Sequence, residues 1–326
     1  SRRLSVFGYV DWVLGVFRED TTRHVATNLN SETQTIFARN YYNNEFAGRV
    51  AAASIYCPKE IESDAFTGDR AAFIGRNNTL SNPKALQYDS PLNGRFGMGQ
   101  EACAASQMIL RLDSGETADL YFLLAETKDE AQTQKLIDKY RNQEVIEQSL
   151  QEVRQFWQEK LSRIQIQTPV EEFNYLANGW LQYQNIACRM WGRTGFYQAG
   201  GAYGFRDQLQ DSTAACYVDP SLTRQQILLH ASHQFQEGDV LHWWHPPTDR
   251  GIRSRITDDL LWLPYVTAFY IAQTGDRDIL EEQRPFVQAR ALQEDEHEVY
   301  LQPEITEVRA SLYEHCCLAI DRSLTQ

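Results

Sequence analysis

The sequence predicts an α+β multidomain chain, in which an antiparallel β-sandwich is followed by a helical linker and a helical domain. Three observations support this prediction. Short runs rich in Val, Ile, Tyr and Phe recur through the first 127 residues, a stretch without Gly or Pro follows, and the remaining residues carry apolar side chains at helical spacing. The length of 326 residues suits two domains joined by a connector.

The first predicted domain spans residues 1–127 and is built from strands. Residues 113–116, Asp-Ser-Gly-Glu, indicate a hairpin between the last two strands. Because no helix intervenes, the strands are expected to pair antiparallel in a sandwich. The sequence begins abruptly in strand-like residues, so it is expected to be a fragment. The predicted strands are residues 6–14, 24–29, 34–38, 50–56, 104–112 and 117–125.

The predicted helical linker spans residues 128–166. It is rich in Glu, Gln, Lys and Leu, and Ile146, Leu150, Val153 and Trp157 recur at steps of three or four. Such spacing places these four side chains on one face of a helix. This face is therefore expected to pack against another part of the protein.

The third predicted domain spans residues 167–326 and consists of consecutive helices. Gly-rich and aromatic loops connect them, and the candidate chemical groups lie in these loops and at helix starts. This arrangement favours an α/α barrel or toroid, while a solenoid stays open although no repeat period is visible. The predicted helices are residues 173–190, 207–217, 221–233, 258–274 and 304–324, with Thr257 as the expected N-cap of the fourth.

The composition excludes several classes of function. A net charge of −13, from 31 Lys and Arg against 44 Asp and Glu, opposes binding to a nucleic-acid backbone. No segment approaches the apolar length of a membrane span, and the six scattered cysteines are expected to be free thiols in a reducing compartment. The aromatic content of 12% suits a sugar site, because Trp and Tyr combine a flat apolar face with a polar edge.

The first candidate segment covers residues 199–211, AGGAYGFRDQLQD. Its glycines allow close approach to a ligand, and Arg206 supplies a planar guanidinium. Asp207 and Asp211 are four residues apart and share a helix face, so these three charged groups are expected to converge on one pocket for sugar hydroxyls. In the alternative interpretation, Asp207 caps a helix and Arg206 pairs with Asp211.

Two further segments carry candidate groups. Trp243 and Trp244 lie side by side in a predicted loop, where one can pack while the other stacks on a sugar ring, or both can pack. Asp258 and Asp259 precede an apolar helix, as sugar-hydroxyl acceptors or as charges at a helix start. The histidines at positions 230, 233, 242 and 245 lack the further ligands of a metal site, so no metal is expected.

Together, the segments GGAYGFRDQLQD, HWWHPPTDRGIRSRITDDLLWLPY and SLYEHC, with SDAFTGDRAAFIGR upstream, resemble glycoside hydrolase family 94. The branch they resemble is the phosphorylase-like region of cyclic β-1,2-glucan synthases and the 1,2-β-oligoglucan phosphorylases, related to cellobiose phosphorylase. The resemblance covers nearly the whole chain. It implies a β-sandwich, a helical linker and an (α/α)6 barrel. By this resemblance, residues 1–127 are expected to form a sandwich that is incomplete at its N-terminus, and residues 167–326 a part of the barrel that is incomplete at its C-terminus.

The resemblance also implies an activity. Members of the family carry out inverting phosphorolysis, in which a β-glucoside, here expected to be β-1,2-linked, and inorganic phosphate give α-glucose 1-phosphate. No cofactor is implied; phosphate is the co-substrate, a β-glucan oligosaccharide is the partner, and a homodimer is a further expected assembly. The implied substrate-binding residues are Tyr203, Arg206, Asp207, Gln210, Asp211, Trp243, His245, Arg250, Asp258 and Asp259.

One feature of the family is missing. Its general acid lies in an Asp-Trp-Asn-Asp type motif, which this chain lacks, so the acid is expected beyond Gln326 and the chain alone is expected not to catalyse phosphorolysis. Two other functions stay open: a carbohydrate-binding fragment without chemistry, and a hydrolase with Asp211, Asp258 or Asp259 as base. The expected location is the cytoplasm, as a free enzyme or as the cytoplasmic part of a larger inner-membrane protein.

Overall fold

The computed structural model describes residues 1–42, 46, 48–87, 91–194 and 200–325 of the chain. The chain folds as two compact units, Ser1–Glu152 and Val153–Gln326. Within the described residues, no helix combines the length and the apolar character that crossing a membrane requires.

The first unit contains two antiparallel sheets. The four-stranded sheet has the order β2-β3-β4-β7, and the three-stranded sheet has the order β1-β6-β5. Two short helices, α1 (Arg18–Thr21) and α2 (Arg70–Ile74), lie between strands. The strands are β1 (Arg2–Asp11), β2 (Val25–Asn30), β3 (Thr35–Asn40), β4 (Val50–Tyr56), β5 (Ser63–Asp69), β6 (Ala102–Leu112) and β7 (Tyr121–Thr127).

An apolar core joins the two sheets. It brings Ile36 of β3 and Ile55 of β4 together with Phe66 of β5 and Met108 of β6, and all four side chains are buried. Successive side chains of a strand point to opposite faces, so each sheet contributes one apolar face to this core. Two sheets packed in this way form a sandwich, which confirms this part of the predicted fold class.

The predicted hairpin at residues 113–116 is wrong. β6 pairs with β1 and β5, whereas β7 pairs with β4, so the turn carries the chain from one sheet to the other. A turn is present, because the Glu116 N–H donates to the Asp113 carbonyl at 3.1 Å. A turn signal, however, does not specify which strand the chain meets next. The sequence also missed β5, whose polar residues depart from typical strand composition.

The linker contains two helices, α3 (Glu130–Tyr140) and α4 (Gln143–Leu161). They are separated at Asn142, whose side-chain oxygen accepts the backbone N–H of Glu144 at 2.9 Å. This bond satisfies a donor at the start of α4 that has no partner within the helix. The predicted helical linker therefore contains two helices with a capped break between them.

The apolar face of α4 includes two half-exposed positions before its packed C-terminal end. There, Trp157 lies against Tyr183, with ring centres 4.8 Å apart. Leu150 and Val153 remain about half exposed, so the expectation that the whole face is packed is wrong for these two positions. Helical spacing shows that a face is apolar, but not that it is covered within the same chain.

The second unit contains the predicted series of helices; the ends differ from the prediction by a few residues, except at the last helix, which begins at Leu312. Helices α7 to α10 share a buried core that includes Phe205, Leu209, Ile227 and Leu263. The first helical segment combines α5 (Glu171–Tyr175) and α6 (Leu181–Gln184) with π-helical stretches at Leu176–Trp180 and Asn185–Trp191. The others are α7 (Phe205–Ala215), α8 (Pro220–Ala231), α9 (Trp262–Thr274) and α10 (Leu312–Ser323).

Two sheets of the second unit were not predicted. A four-stranded sheet has the order β12-β10-β9-β8, and β11 pairs with β13. Part of the helix predicted at residues 304–324 is therefore wrong, since its first residues form β13. The strands are β8 (Tyr203–Gly204), β9 (Leu241–His245), β10 (Arg250–Ser254), β11 (Gln283–Gln288), β12 (Glu298–Leu301) and β13 (Glu304–Ser311).

The boundary between β13 and α10 has a clear cause. Ser311 accepts the Glu314 N–H through its hydroxyl, and Glu314 accepts the Ser311 N–H at 2.7 Å, which together form a capping box. This Ser-x-x-Glu spacing was visible in the sequence and marks a helix start at Leu312.

The predicted N-cap at Thr257 is wrong, because the N-cap position is Asp258, which makes no side-chain capping bond.

Gly251 of β10 pairs with Trp244 of β9, and we expect Gly251→Ala to destabilise the second unit by about 1–3 kcal/mol. A Cβ at this position would lie 2.0 Å from the Trp243 carbonyl oxygen and 2.7 Å from the Trp244 Cα, so the backbone would have to move. Urea unfolding tests this expectation. Gly179→Ala is the control, because a Cβ there meets no atom within 4 Å; equal stability losses in the two variants would contradict it.

Candidate functional site

A pocket of about 360 Å³ opens near the N-terminus of α7 and the end of β9. This volume lies in the range of sites for small ligands. It combines two arginines, one carboxylate and an indole, which are the side-chain types expected at a sugar site. The described residues that line it are Arg189, Arg193, Gly200, Ala202, Gly204, Asp207, Gln208, Trp243 and His245.

Asp207 contributes the carboxylate of this pocket. It lies in the first turn of α7, where the helix dipole favours negative charge, and its side chain is 59% exposed. Gly204 precedes the helix, and a Cβ there would lie 2.8 Å from the Asp207 carboxylate. The buried Gln208 accepts the Gly204 N–H through its side-chain oxygen, which fixes the turn. The Asp207 carboxylate is thus held at the pocket while remaining open to a ligand.

Asp211 lies one turn further along α7 and holds Arg189 by a hydrogen bond. Its Oδ2 accepts a hydrogen bond from Arg189 Nε at 2.5 Å. Burial raises the pKa of Asp211, and the bond from Arg189 partly opposes this effect. Because Arg189 itself lines the pocket, Asp211 holds a guanidinium at the pocket wall.

Arg193 forms a second cationic part of the wall. Its Nε donates to the Gly201 carbonyl at 2.8 Å, and its guanidinium lies 4.6 Å from the ring centre of Tyr203. Tyr203 in turn stacks on Trp244, with ring centres 5.3 Å apart. Tyr203, predicted as a binding residue, therefore supports Arg193 through a cation–π contact.

The two adjacent tryptophans have different environments. Trp244 is 0% exposed and stacks on His233 with ring centres 4.0 Å apart, so it belongs to the core. Trp243 lines the pocket together with His245, whose Nε2 lies 3.1 Å from the Gly200 carbonyl oxygen. The segment is a strand rather than a loop, and strand alternation separates the two indoles.

Arg206 does not pair with Asp211 as the alternative interpretation predicted. Its Nη1 donates to Asp258 at 2.9 Å, and its Nε lies 4.0 Å from the Asp207 carboxylate. The hydrogen bond from Arg206 lowers the pKa of Asp258. Of the three groups expected to converge, Asp207 lines the pocket, Asp211 reaches it through Arg189, and Arg206 is absent from its described lining.

Asp259 is not open to the pocket. Its side chain is 1% exposed, and its Oδ2 accepts from His242 Nδ1 at 2.7 Å. This bond raises the pKa of His242. Gln210 is exposed, and Arg250 donates to the Gln302 side chain at 3.2 Å; neither is among the described residues that line the pocket.

Sequence reasoning missed Arg189, Arg193 and Gln208. Arg189 lies in a largely apolar helical segment, and a cation in such a segment is a signal that could have identified it. Gln208 shares α7 with Asp207, but nothing in the sequence shows that a glutamine is buried. Arg193 is placed by a loop, which local patterns do not describe.

His230, one of the four histidines considered as metal ligands, belongs to the core of the second unit. His230 is buried, its Nδ1 lies 2.7 Å from the Gln226 carbonyl oxygen, and burial lowers its pKa to about 3. It is therefore neutral and part of the core. Among the residues that the structure describes, no group of three or more His, Cys, Asp or Glu side chains could hold a metal ion.

Comparison with known protein families gives two matches that together cover most of the chain. Residues 1–143 match the glycosyl hydrolase 94 supersandwich domain, and residues 156–326 match the glycosyl hydrolase 94 superfamily catalytic domain. The chain belongs to the glycosyl hydrolase 94 superfamily. The resemblance in the glycine, tryptophan and aspartate segments is thereby confirmed.

Known members of this superfamily resemble the chain along most of its length. It is 36% identical, over 99% of its residues, to 11% of the cyclic beta-(1,2)-glucan synthase NdvB of Rhizobium meliloti. It is 25% identical over 87% of its residues to 39% of the N,N'-diacetylchitobiose phosphorylase of Vibrio furnissii. It is 28% identical over 88% of its residues to 36% of the solabiose phosphorylase of Paenibacillus borealis. The chain thus spans less than half the length of these relatives.

Proposed function

We propose that this chain is part of a carbohydrate-active phosphorylase that cleaves β-1,2-glucosidic linkages with inorganic phosphate to give α-glucose 1-phosphate. The observation that carries the proposal is the pocket in which Asp207, Trp243 and two arginines meet, in a glycosyl hydrolase 94 chain. The similarity to a cyclic beta-(1,2)-glucan synthase supports the linkage, and the similarity to phosphorylases supports the reaction.

In the proposed reaction, a phosphate oxygen attacks the anomeric carbon from the side opposite the glucosidic oxygen. The bond from that carbon to the leaving sugar breaks, and a protonated carboxyl gives its proton to the leaving oxygen. Inversion at the anomeric carbon gives the α-phosphate. Because phosphate is the nucleophile, no base is needed to activate water, in contrast to inverting hydrolysis.

The carboxylates near the pocket suit binding better than proton donation. Asp207 is exposed in the first turn of α7, where its oxygens can accept hydrogen bonds from sugar hydroxyls. The hydrogen bond from Arg206 lowers the pKa of Asp258, and Asp259 is buried against His242. We therefore propose that these carboxylates bind the sugar or the side chains beside it, and that the leaving-group acid belongs to another part of the protein.

From the similarity to a cyclic beta-(1,2)-glucan synthase, we propose that the chain is part of such an enzyme, and we propose further that this part controls glucan length. The six cysteines are all free, which suits a reducing compartment and supports a cytoplasmic location.

Homodimerisation is part of the same proposal and is tested by light scattering of the purified protein.

Two proteins test whether the general acid lies outside this chain: the 326-residue chain and the complete reading frame that contains it. We expect glucose 1-phosphate from β-1,2-glucans and phosphate only with the complete protein, since a positioned acid contributes about 10²–10⁴-fold. Equal activity of the two proteins would place the acid within this chain. Sugar binding by the complete protein without turnover would instead indicate a carbohydrate-binding role.

A further inference from the structure

His242 and Asp259 form a hydrogen-bonded pair next in sequence to the pocket residue Trp243; neither is among the described residues that line the pocket, but Asp207, which does line it, acts electrostatically on His242. Oδ2 of the buried Asp259 accepts from His242 Nδ1, and its other oxygen, Oδ1, is buried without a hydrogen-bond partner among the described residues. Leaving one oxygen of a buried carboxylate unpaired costs free energy, so such a group in a native structure calls for an explanation. Its one described partner is the imidazole of His242.

His242 is the extra residue of a β-bulge. Ile252 pairs with Trp243 and Arg253 pairs with Leu241, so no residue of β10 lies opposite His242. A bulge redirects a side chain relative to a regular strand. Here the imidazole is hydrogen-bonded to Asp259, and 33% of the His242 side chain is exposed. Within the described part of the chain, Nε2 of His242 has no hydrogen-bond partner.

Three charged groups act on the imidazole of His242. The hydrogen bond to Asp259 raises its pKa most, Asp207 adds to this effect, and Arg206 opposes it. The imidazole therefore stays positively charged to a higher pH than an ordinary histidine. On the neighbouring strand β10, Arg253 bonds Asp239 and Arg250 bonds Gln302.

We propose that His242 is a further ligand-binding residue of this site, positioned by Asp259, and that its Nε2–H donates a hydrogen bond to a hydroxyl oxygen of a sugar bound beside Asp207. The identity of the ligand rests on the proposed function. Asp259 accepts the Nδ1–H, which fixes the ring and leaves Nε2 as the donor available to a ligand. The charged groups around His242 comprise two cations and three anions, and this excess of negative charge suits a neutral hydroxyl better than an anion. The cations are His242 and Arg206, and the anions are Asp207, Asp258 and Asp259.

The proposal is tested by calorimetric binding of a β-1,2-linked glucotriose to the complete protein from about pH 5 to about pH 8. An asparagine amide can occupy the place of Nδ1, whereas a glutamine amide can occupy the place of Nε2. We expect His242→Asn to weaken binding about 10-fold at low pH, because it removes the charged donor. His242→Gln is expected to retain most of the affinity but to lose its pH dependence.

The pH profile separates a binding role from a structural one. In the wild type, affinity is expected to fall as pH rises through the raised pKa of His242, because the imidazole then loses the proton on Nε2. In Asp259→Asn, the neutral amide no longer raises this pKa, so the fall is expected at lower pH. His297→Asn, at an exposed histidine outside the site, is the control and is expected to bind as the wild type does.

The outcomes distinguish this inference from the proposed function. If the wild type binds the glucotriose and His242→Asn binds it equally well with the same pH profile, the inference about His242 is wrong while the proposed function stands. If Asp259→Asn leaves the pH profile unchanged, Asp259 is not the positioning residue. If the wild type does not bind the glucotriose at all, the proposed function fails, and the sugar-binding role of His242 fails with it.

Discussion

Replacing Asp207 with asparagine is expected to weaken the binding of a β-1,2-glucotriose by about 10- to 100-fold, because hydrogen bonds to a charged acceptor contribute about 1.5–3 kcal/mol. The Asp207 carboxylate lines the pocket and is largely exposed, so a sugar hydroxyl can donate to it directly. Calorimetry gives the dissociation constant, and a thermal melt of the same variant shows whether α7 remains folded.

Asp278→Asn is the matched control for this change. Asp278 is an exposed acid in the 3₁₀ turn Asp278–Glu281, outside the described pocket lining, so the same loss of charge occurs away from the ligand. We expect wild-type affinity for this variant. An Asp207→Asn protein that binds the glucotriose as tightly as the control would show that Asp207 does not contact the sugar.

Replacing Arg253 with alanine is expected to destabilise the second unit by about 3–5 kcal/mol, since it leaves a buried carboxylate without its partner. Arg253 is buried and bonds Asp239 through two nitrogens, at 2.6 and 2.7 Å. Its guanidinium also lies 3.8 Å from the ring centre of Phe235. Because β10 carries this arginine and pairs with β9, the loss should also loosen the strand that presents Trp243.

Chemical unfolding of three variants tests this explanation. Arg290→Ala removes an exposed ion pair with Glu296 and is expected to change stability little. The double variant Arg253→Met, Asp239→Leu removes both buried charges and is expected to be more stable than Arg253→Ala. If Arg253→Ala unfolds at the same denaturant concentration as Arg290→Ala, the buried pair does not hold β10 in place.

Much of the fold was visible in the sequence because local patterns determine it. The helix predicted at residues 221–233 follows Asp219 and Pro220, and Asp219 caps α8 through the Ser221 N–H. Strand β4 matches its predicted range, because its residues suit a buried strand. What local patterns could not give is the pairing of distant strands, such as β6 with β1, which depends on tertiary contacts.

The candidate site was predictable to a similar degree. Asp207 lines the pocket, as its place after a glycine-rich turn at a helix start led us to expect, and its binding of a sugar stays a prediction. The different environments of Trp243 and Trp244 follow from the strand, and this strand was predicted as a loop. The environment of Asp259 could not be predicted from the sequence, because only the structure shows that Asp259 is buried and hydrogen-bonded to His242.

The most direct test of the proposed function is the phosphate dependence of sugar release by the complete protein. A β-1,2-glucotriose is incubated with and without inorganic phosphate, and the products are identified by ¹H and ³¹P NMR. We expect glucose 1-phosphate in the α form, formed only when phosphate is present, because phosphate is the nucleophile. Release of free glucose at the same rate without phosphate would show that water is the nucleophile, and the protein would then be a hydrolase rather than a phosphorylase.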